Sequence, residues 1–266
     1  MYKMHFGFTA YPFGKELKPD ELFESIAASE ASLRLKHLIK LRGIGLVTGE
    51  VGSGKTTACR KLISALHDGL YRVFYVPLST GNVMDAYKSI AWEMGLPTER
   101  SRAACYRVIR AEVTRLCLES KKTPILIVDE AHHLRNDVLE DLRLLTNYDM
   151  DSKNRLCLIL VGLAEIRRRL NMAVHESLEQ RIVLKHHIKG LEREELQKYL
   201  SYHLQRVGSE LPLFAPEAQE AIFQATNGLP RRINRLAHFS LIAAAIEKHS
   251  TVEAIHVEAA VKEIDQ

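Results

Sequence analysis

The sequence predicts an α/β fold, a parallel five-stranded sheet sandwiched by helices and followed by a small all-helical domain. Three observations predict it. Five apolar or β-branched runs alternate with helical periodicities between Gly43 and Ile188, the pattern of a parallel sheet with crossover helices. The segment Gly49-Glu-Val-Gly-Ser-Gly-Lys-Thr56 fits G-x-x-x-x-G-K-[ST] and lies between the first such run and a helix. From Leu191 onward only helical periodicity continues. The expected domains are residues 1–190, with an aromatic arm at the start, and residues 191–266.

The arm, residues 1–25, mixes Phe6, Phe8, Tyr11-Pro12-Phe13 and Lys18-Pro19-Asp20. Proline turns its predecessor away from helix, so Tyr-Pro-Phe is extended chain that docks its rings on a core. Ile26, Leu33, Leu35, Leu38, Ile39 and Leu41 predict a helix over Ser25–Leu41, ended by Gly43. Phe13 and His37 are taken as core residues rather than as walls of an adenine pocket.

Gly43–Thr48 is the first strand, and Ala58, Leu62, Ala65 and Leu66 place a helix over 57–66. Strand, glycine loop and helix N-terminus together aim backbone N–H groups and a positive dipole end at phosphate oxygens. Gly49, Glu50, Val51, Gly52, Ser53, Gly54, Lys55, Thr56 and Thr57 are the expected nucleotide-binding residues. Lys55 reaches the β- and γ-phosphates, and the Thr56 hydroxyl ligates Mg²⁺. The chain is expected to bind a nucleoside triphosphate.

Tyr71–Val76 is a strand and Val83–Met94 a helix stopped by Gly95-Leu-Pro97. After the polar linker Thr98–Arg102, Val108, Ile109, Val113 and Leu116 define the inner face of a helix over Ala103–Leu118. Its other faces carry Arg102, Arg107, Arg110 and Arg115. Such a stripe is either a phosphate-facing surface or an ordinary solvated face.

Pro124-Ile-Leu-Ile-Val-Asp129-Glu130 is an apolar strand ending in two carboxylates. Ligands of parallel sheets lie beyond the carboxyl ends of strands, so Asp129 is expected beside the loop, holding Mg²⁺ through its water shell. Glu130 is expected to orient and deprotonate the attacking water. Together with Lys55 it makes the chain an expected ATPase. A helix over Asp137–Asn147, a strand over Arg155–Gly162, short helices at Glu165–Leu170 and Glu176–Gln180 and a strand over Ile182–Ile188 complete the first domain. Arg167-Arg168-Arg169 is expected on its surface near a subunit contact. Helices over Glu192–Val207, Pro216–Thr226, Arg231–His249 and His256–Ile264 form the second, with Pro216 at a helix start and Asn227-Gly228 as a C-cap.

Composition narrows the setting. Of 266 residues, 46% are hydrophobic and 26% charged, as in ordinary globular domains. No apolar run approaches the ~18–20 residues of a membrane span, and the N-terminus lacks a signal-peptide core. Cys59, Cys105, Cys117 and Cys157 have no C-x-x-C spacing, so the expectation is reduced thiols in a cytoplasmic protein. His132-His133 and His186-His187 lack a third ligand and are not taken as metal sites. The net charge of +4 permits an anionic partner without requiring one.

Leu178-Glu-Gln-Arg181-Ile before the last strand and Gly228-Leu-Pro-Arg231-Arg-Ile-Asn-Arg-Leu236 in the helical domain extend the pattern. With Tyr-Pro-Phe, the Gly49–Thr57 loop, Asp129-Glu-Ala-His132, Leu-Arg-Leu-Leu-Thr-Asn147 and Leu-Ile-Leu-Val-Gly162, nearly the whole chain resembles the ExeA-like branch of the AAA+ ATPases. That branch holds TnsC/TniB-type transposition regulators and ExeA-type secretion ATPases. The resemblance implies that Arg181 is an arginine finger reaching a neighbouring subunit's ATP, and that Arg231 contacts the phosphates from the lid. It therefore implies a homo-oligomer, a ring or a helical filament. By the same resemblance Thr80, Asn82, Lys88, Thr98, Arg100, Arg102 and Arg107 would grip duplex DNA. One position departs from the family: Leu163 stands where a polar sensor residue is usual, and leucine offers no hydrogen bond. Either Asn147 takes over that role or hydrolysis is slow, and Asn147 also suits a helix C-cap.

The implied function is an ATP- and Mg²⁺-dependent regulator of DNA transposition. It would assemble on double-stranded DNA, recruit a transposase and target-selection proteins, and disassemble on hydrolysis, without membrane attachment. The alternative is an ATPase energising secretion or envelope assembly; such proteins continue into a membrane span and a cell-wall-binding portion, and neither is found in this sequence. A DEAH-type helicase would need a second RecA-like domain, and the Glu130 base argues against a small-molecule kinase.

Overall fold

The computed structural model describes residues 2–14, 16–77 and 82–264. It divides into two compact units: Glu30–Gly49 with Lys55–Ile188, and Met1–Ser29 with Glu50–Gly54 and Lys189–Gln266.

The first is the α/β unit. Strands β1 (Ile44–Gly49), β2 (Tyr71–Pro77), β3 (Thr123–Asp129), β4 (Cys157–Gly162) and β5 (Ile182–Ile188) form one parallel sheet ordered β2-β3-β4-β1-β5. The three inner strands are buried at every residue, whereas the edge strands β2 and β5 alternate. That contrast follows from covering both faces of a parallel sheet with helices. Each inner leucine or isoleucine removed from water contributes about 1.5–3 kcal/mol, so Leu46, Leu126, Leu158 and Leu160 anchor the unit.

Going down the chain, α1 (Tyr2–His5) precedes α2 (Ile26–Leu41), and α3 (Lys55–Ser64) follows the glycine loop. Next come α4 (Val83–Glu93), α5 (Arg102–Leu118), α6 (Asn136–Leu145), α7 (Glu165–Leu170) and α8 (Glu176–Glu179). Asn82 and Ser101 cap α4 and α5 through side-chain oxygens that accept from Asp85 N and Ala104 N, satisfying donors a helix start leaves unpaired.

The helical unit contains α9 (Arg193–Gln205), α10 (Pro216–Thr226), α11 (Pro230–Ile246) and α12 (Ala254–Ile264). Asn227, left-handed at φ 50°, ends α10 as the sequence suggests. Gly228 at φ 70° is required by space as well, since a Cβ there would lie 2.2 Å from Leu191 O. Glu195 closes two helix starts at once: its Oε1 accepts Ile26 N–H at 2.7 Å and its Oε2 accepts Glu192 N–H at 3.0 Å.

The aromatic arm differs from expectation. It packs within the helical unit instead of joining the nucleotide domain, with Tyr2, Phe8 and Phe13 in the same apolar cluster as Leu196, Leu200 and Phe214. Residues 2–5 are helical, too short a segment for periodicity to reveal. Among the described residues no helix is long and apolar enough to cross a membrane.

Candidate functional site

The site begins where β1 ends. Gly49 closes the strand and α3 starts at Lys55, with the turn Glu50–Gly54 between them. Ser53 N–H donates to Glu50 O at 3.1 Å. Gly52, at φ 81°, takes a conformation that side chains resist. In the helical unit, to which this turn belongs, Arg231 N–H donates to Gly52 O at 3.2 Å, and a Cβ on Gly52 would come within 2.6 Å of Arg231 Cβ. Arg231 thus sits directly on the turn of the loop. Ser53 Oγ is buried and has no hydrogen-bond partner among the described residues; a bound phosphate oxygen would satisfy it.

Within the α/β unit Lys55 is 8% exposed and its ammonium donates to Gly49 O at 3.0 Å. The Thr56 hydroxyl donates to Asp129 Oδ2 at 2.8 Å. Tyr75 on β2 donates its phenol to the same oxygen at 2.7 Å, and Glu130 N–H donates to Asp129 Oδ1 at 2.8 Å. The Asp129 carboxylate, 3% exposed, is therefore held at both oxygens. Its charge, after burial, raises the neighbouring Cys59 thiol to about 12 and keeps it protonated. Burial and the bond to Asp129 likewise push the Tyr75 phenol upward. Tyr75 was not singled out in the sequence; its only signal there is a tyrosine on the strand that pairs with β3.

Glu130 contrasts with Asp129. Its side chain is 54% exposed, and its backbone is left-handed at φ 54°, ψ 32°. A non-glycine residue in that region costs on the order of 1–3 kcal/mol and points to a functional constraint. The turn after it, Ala131–His133, carries the largely buried His132, whose Nδ1 accepts Leu163 N–H at 3.3 Å. Burial, then the adjacent His133, lowers the affinity of His132 for a second proton. The ring is neutral, with its proton on Nε2.

Glu130 also supplies the third group that His132-His133 lacks in sequence, since one ligand atom from each lies within 4.8 Å of the others. The Nδ1 lone pair of His132 is already committed to Leu163 N–H, which argues against a metal centre there. Asn147 follows the Thr146 C-cap of α6, and its carbonyl accepts from Arg110.

The other expected residues are dispersed. Arg181 forms a two-pronged ion pair with Asp151. Arg102 pairs with the buried Asp141. Arg110 bonds the carbonyls of Leu144 and Asn147 and lies 4.1 Å from the Tyr148 ring centre, and Arg115 pairs with Glu112. Of the four-arginine stripe, Arg107 is exposed and makes no ion pair among the described residues. Lys88, Thr98 and Arg100 are exposed, Asn82 is a cap, and Thr80 lies outside the described residues. The Arg167-Arg168-Arg169 run is not uniformly a surface patch: Arg169 turns inward and donates to His132 O, Leu134 O and Asn136 Oδ1.

An AAA domain family matches residues 38–170, half of the chain and the whole stretch from the end of α2 through α7. The chain belongs to the AAA domain family. It is similar to General secretion pathway protein A of Aeromonas hydrophila, 33% identical over 92% of this chain and 45% of that protein. It is also similar to ATP-dependent target DNA activator B of Escherichia phage Mu, 27% identical over 54% of this chain and 43% of that protein. The chain thus spans less than half the length of both relatives. Its fold matches that of Cdc6p from Pyrobaculum aerophilum, with a TM-score of 0.73, 18% identity, and coverage of 95% of this chain and 70% of that one. An AAA fold with this loop implies nucleotide binding.

Proposed function

We propose that the chain is an ATPase whose nucleotide state controls its assembly on duplex DNA, and that it regulates transposition by recruiting or activating a transposase. The observation that carries the ATPase part is the Thr56–Asp129–Glu130 arrangement: two oxygens 2.8 Å apart where α3 begins and β3 ends, and an exposed carboxylate on the next residue.

Thr56 and Asp129 offer the hard oxygen donors that Mg²⁺ takes, so these two residues would hold the ion, Asp129 through its water shell. When bound, the ion would offset the negative charge of the nucleotide's phosphates. The loop backbone and Lys55 hold the phosphates in line for attack. Glu130 accepts the proton of the attacking water, and its exposure leaves it free to do so. Arg231, seated on Gly52, senses the phosphates held by that turn. Arg181 serves as a finger toward a second copy, exchanging Asp151 for a phosphate; the same ion pair holds it ready when no partner is present.

Support for DNA comes from the activator of phage Mu, described as acting on target DNA, and from exposed Lys88, Arg100 and Arg107 on and between α4 and α5. Phosphate contacts of that kind carry affinity without sequence information, so target choice falls to partner proteins. One observation favours a second reading, an ATPase energising secretion or envelope assembly: the secretion-pathway relative aligns over more of the chain and at higher identity. Phosphate release from Mg-ATP, with and without duplex DNA, separates the two. Stimulation by DNA supports the regulator, and hydrolysis indifferent to DNA favours the secretion reading.

A further inference from the structure

We propose that His132 is a positioning residue for Glu130, joining the base-bearing turn to the end of β4 in the place where Leu163 offers no polar side chain. The proposal rests on the reading of Glu130 as the general base. Glu130 occupies left-handed backbone, a conformation that reverts unless neighbours hold it. Three contacts hold it here. The largely buried His132 ring accepts Leu163 N–H through Nδ1 at 3.3 Å. Arg169 on α7 clamps the same turn, donating Nη1 to His132 O at 2.7 Å, and Nη2 to Leu134 O at 2.6 Å and Asn136 Oδ1 at 2.9 Å. The turn also rests flat on the strand end, where a Cβ on Gly162 would come within 3.1 Å of His132 N.

The arrangement also bears on the Glu130 side chain. His132 Nδ1 lies 3.5 Å from Glu130 Oε2, and with its lone pair given to Leu163 it presents no proton to that carboxylate. This ring nitrogen therefore offers the facing oxygen no hydrogen bond, and the carboxylate keeps its acceptor capacity for water. A donor at the same point would capture it.

The test is steady-state phosphate release together with the dissociation constant of a fluorescent ATP analogue. His132→Ala is expected to lower kcat by about ten- to a hundredfold, the range that misplacing a reacting group produces, while KM and analogue affinity stay within about twofold. His132→Asn, whose Oδ1 occupies the Nδ1 position and accepts the same N–H, is expected to recover most of the rate. Arg169→Gln is expected to lower kcat similarly. In a Glu130→Gln background His132→Ala should cost nothing further, because both act at one step. Wild-type kcat in His132→Ala, parallel loss of nucleotide affinity, or an Asn variant no better than Ala would each overturn the proposal. Should His132→Ala fail to fold, the Asn and Arg169 variants carry the same test. If Glu130→Gln itself hydrolyses ATP normally, the base assignment fails instead, and the two failures are distinct.

Discussion

Thr56 Oγ1 and Asp129 Oδ2 meet at 2.8 Å although 73 residues separate them in the chain. They meet because α3 starts beyond the end of β1 and Asp129 ends β3, and both strand ends open on the same edge of a parallel sheet. Asp129→Asn replaces an acceptor-only group with one that also donates, in a place already supplied with donors from Thr56 and Tyr75. The variant is expected to lose at least tenfold in magnesium-dependent ATP affinity, by isothermal titration, with less change in magnesium-free binding.

Glu130→Gln keeps the shape of the side chain and removes the proposed base. ATP should bind at wild-type affinity and phosphate release should fall by about a hundredfold or more. Filter binding and a phosphate-release assay on the same preparation measure both quantities. Hydrolysis at the wild-type rate would remove Glu130 from the mechanism.

Arg181 is spent on Asp151 within one chain. If it acts on a neighbour's ATP, Asp151→Asn frees it and should leave hydrolysis unchanged or faster. Arg181→Ala should keep ATP binding and lose about 10³-fold or more in rate, the effect of removing a finger in other nucleotide hydrolases. A concentration series of the rate reports whether the lost step needs two copies.

The α/β frame was legible because each inner strand is a continuous apolar run, as in Pro124–Val128 and Leu158–Val161, and each crossover helix has its own stripe. The Gly49–Thr56 loop and the Asp129-Glu130 pair are local in sequence, so the meeting of Thr56 with Asp129 was readable from the strand order of a parallel sheet. Tyr75, Arg169 and His132 act through partners 54, 37 and 31 residues away, and no local pattern announces such pairings. The same holds for the arm, where Pro12 O meets His203 across 191 residues. The arginine stripe was legible as spacing alone; that Asp141 and the Asn147 carbonyl would claim Arg102 and Arg110 was not.

His203 makes the helical unit sensitive to acid. Burial pushes its pKa down to about 4 from the usual 6.5, against the opposing effect of its bond to Pro12 O. The unfolded chain therefore binds the proton first. Stability is full above pH 6.5, falls as pH drops through that value, and levels off below about 4, for a loss of about 3 kcal/mol. Urea melts between pH 7.5 and 4 should show that decline, and His203→Asn, which retains a donor for Pro12 O, should flatten it.

The most direct test of the account is fluorescence anisotropy of a random-sequence duplex with ATP, ADP or no nucleotide across a salt series. Binding is expected to require ATP and to weaken steeply as salt rises, the mark of phosphate contacts made by an assembled oligomer. Absence of binding in every nucleotide state, from a preparation that hydrolyses ATP, would contradict it.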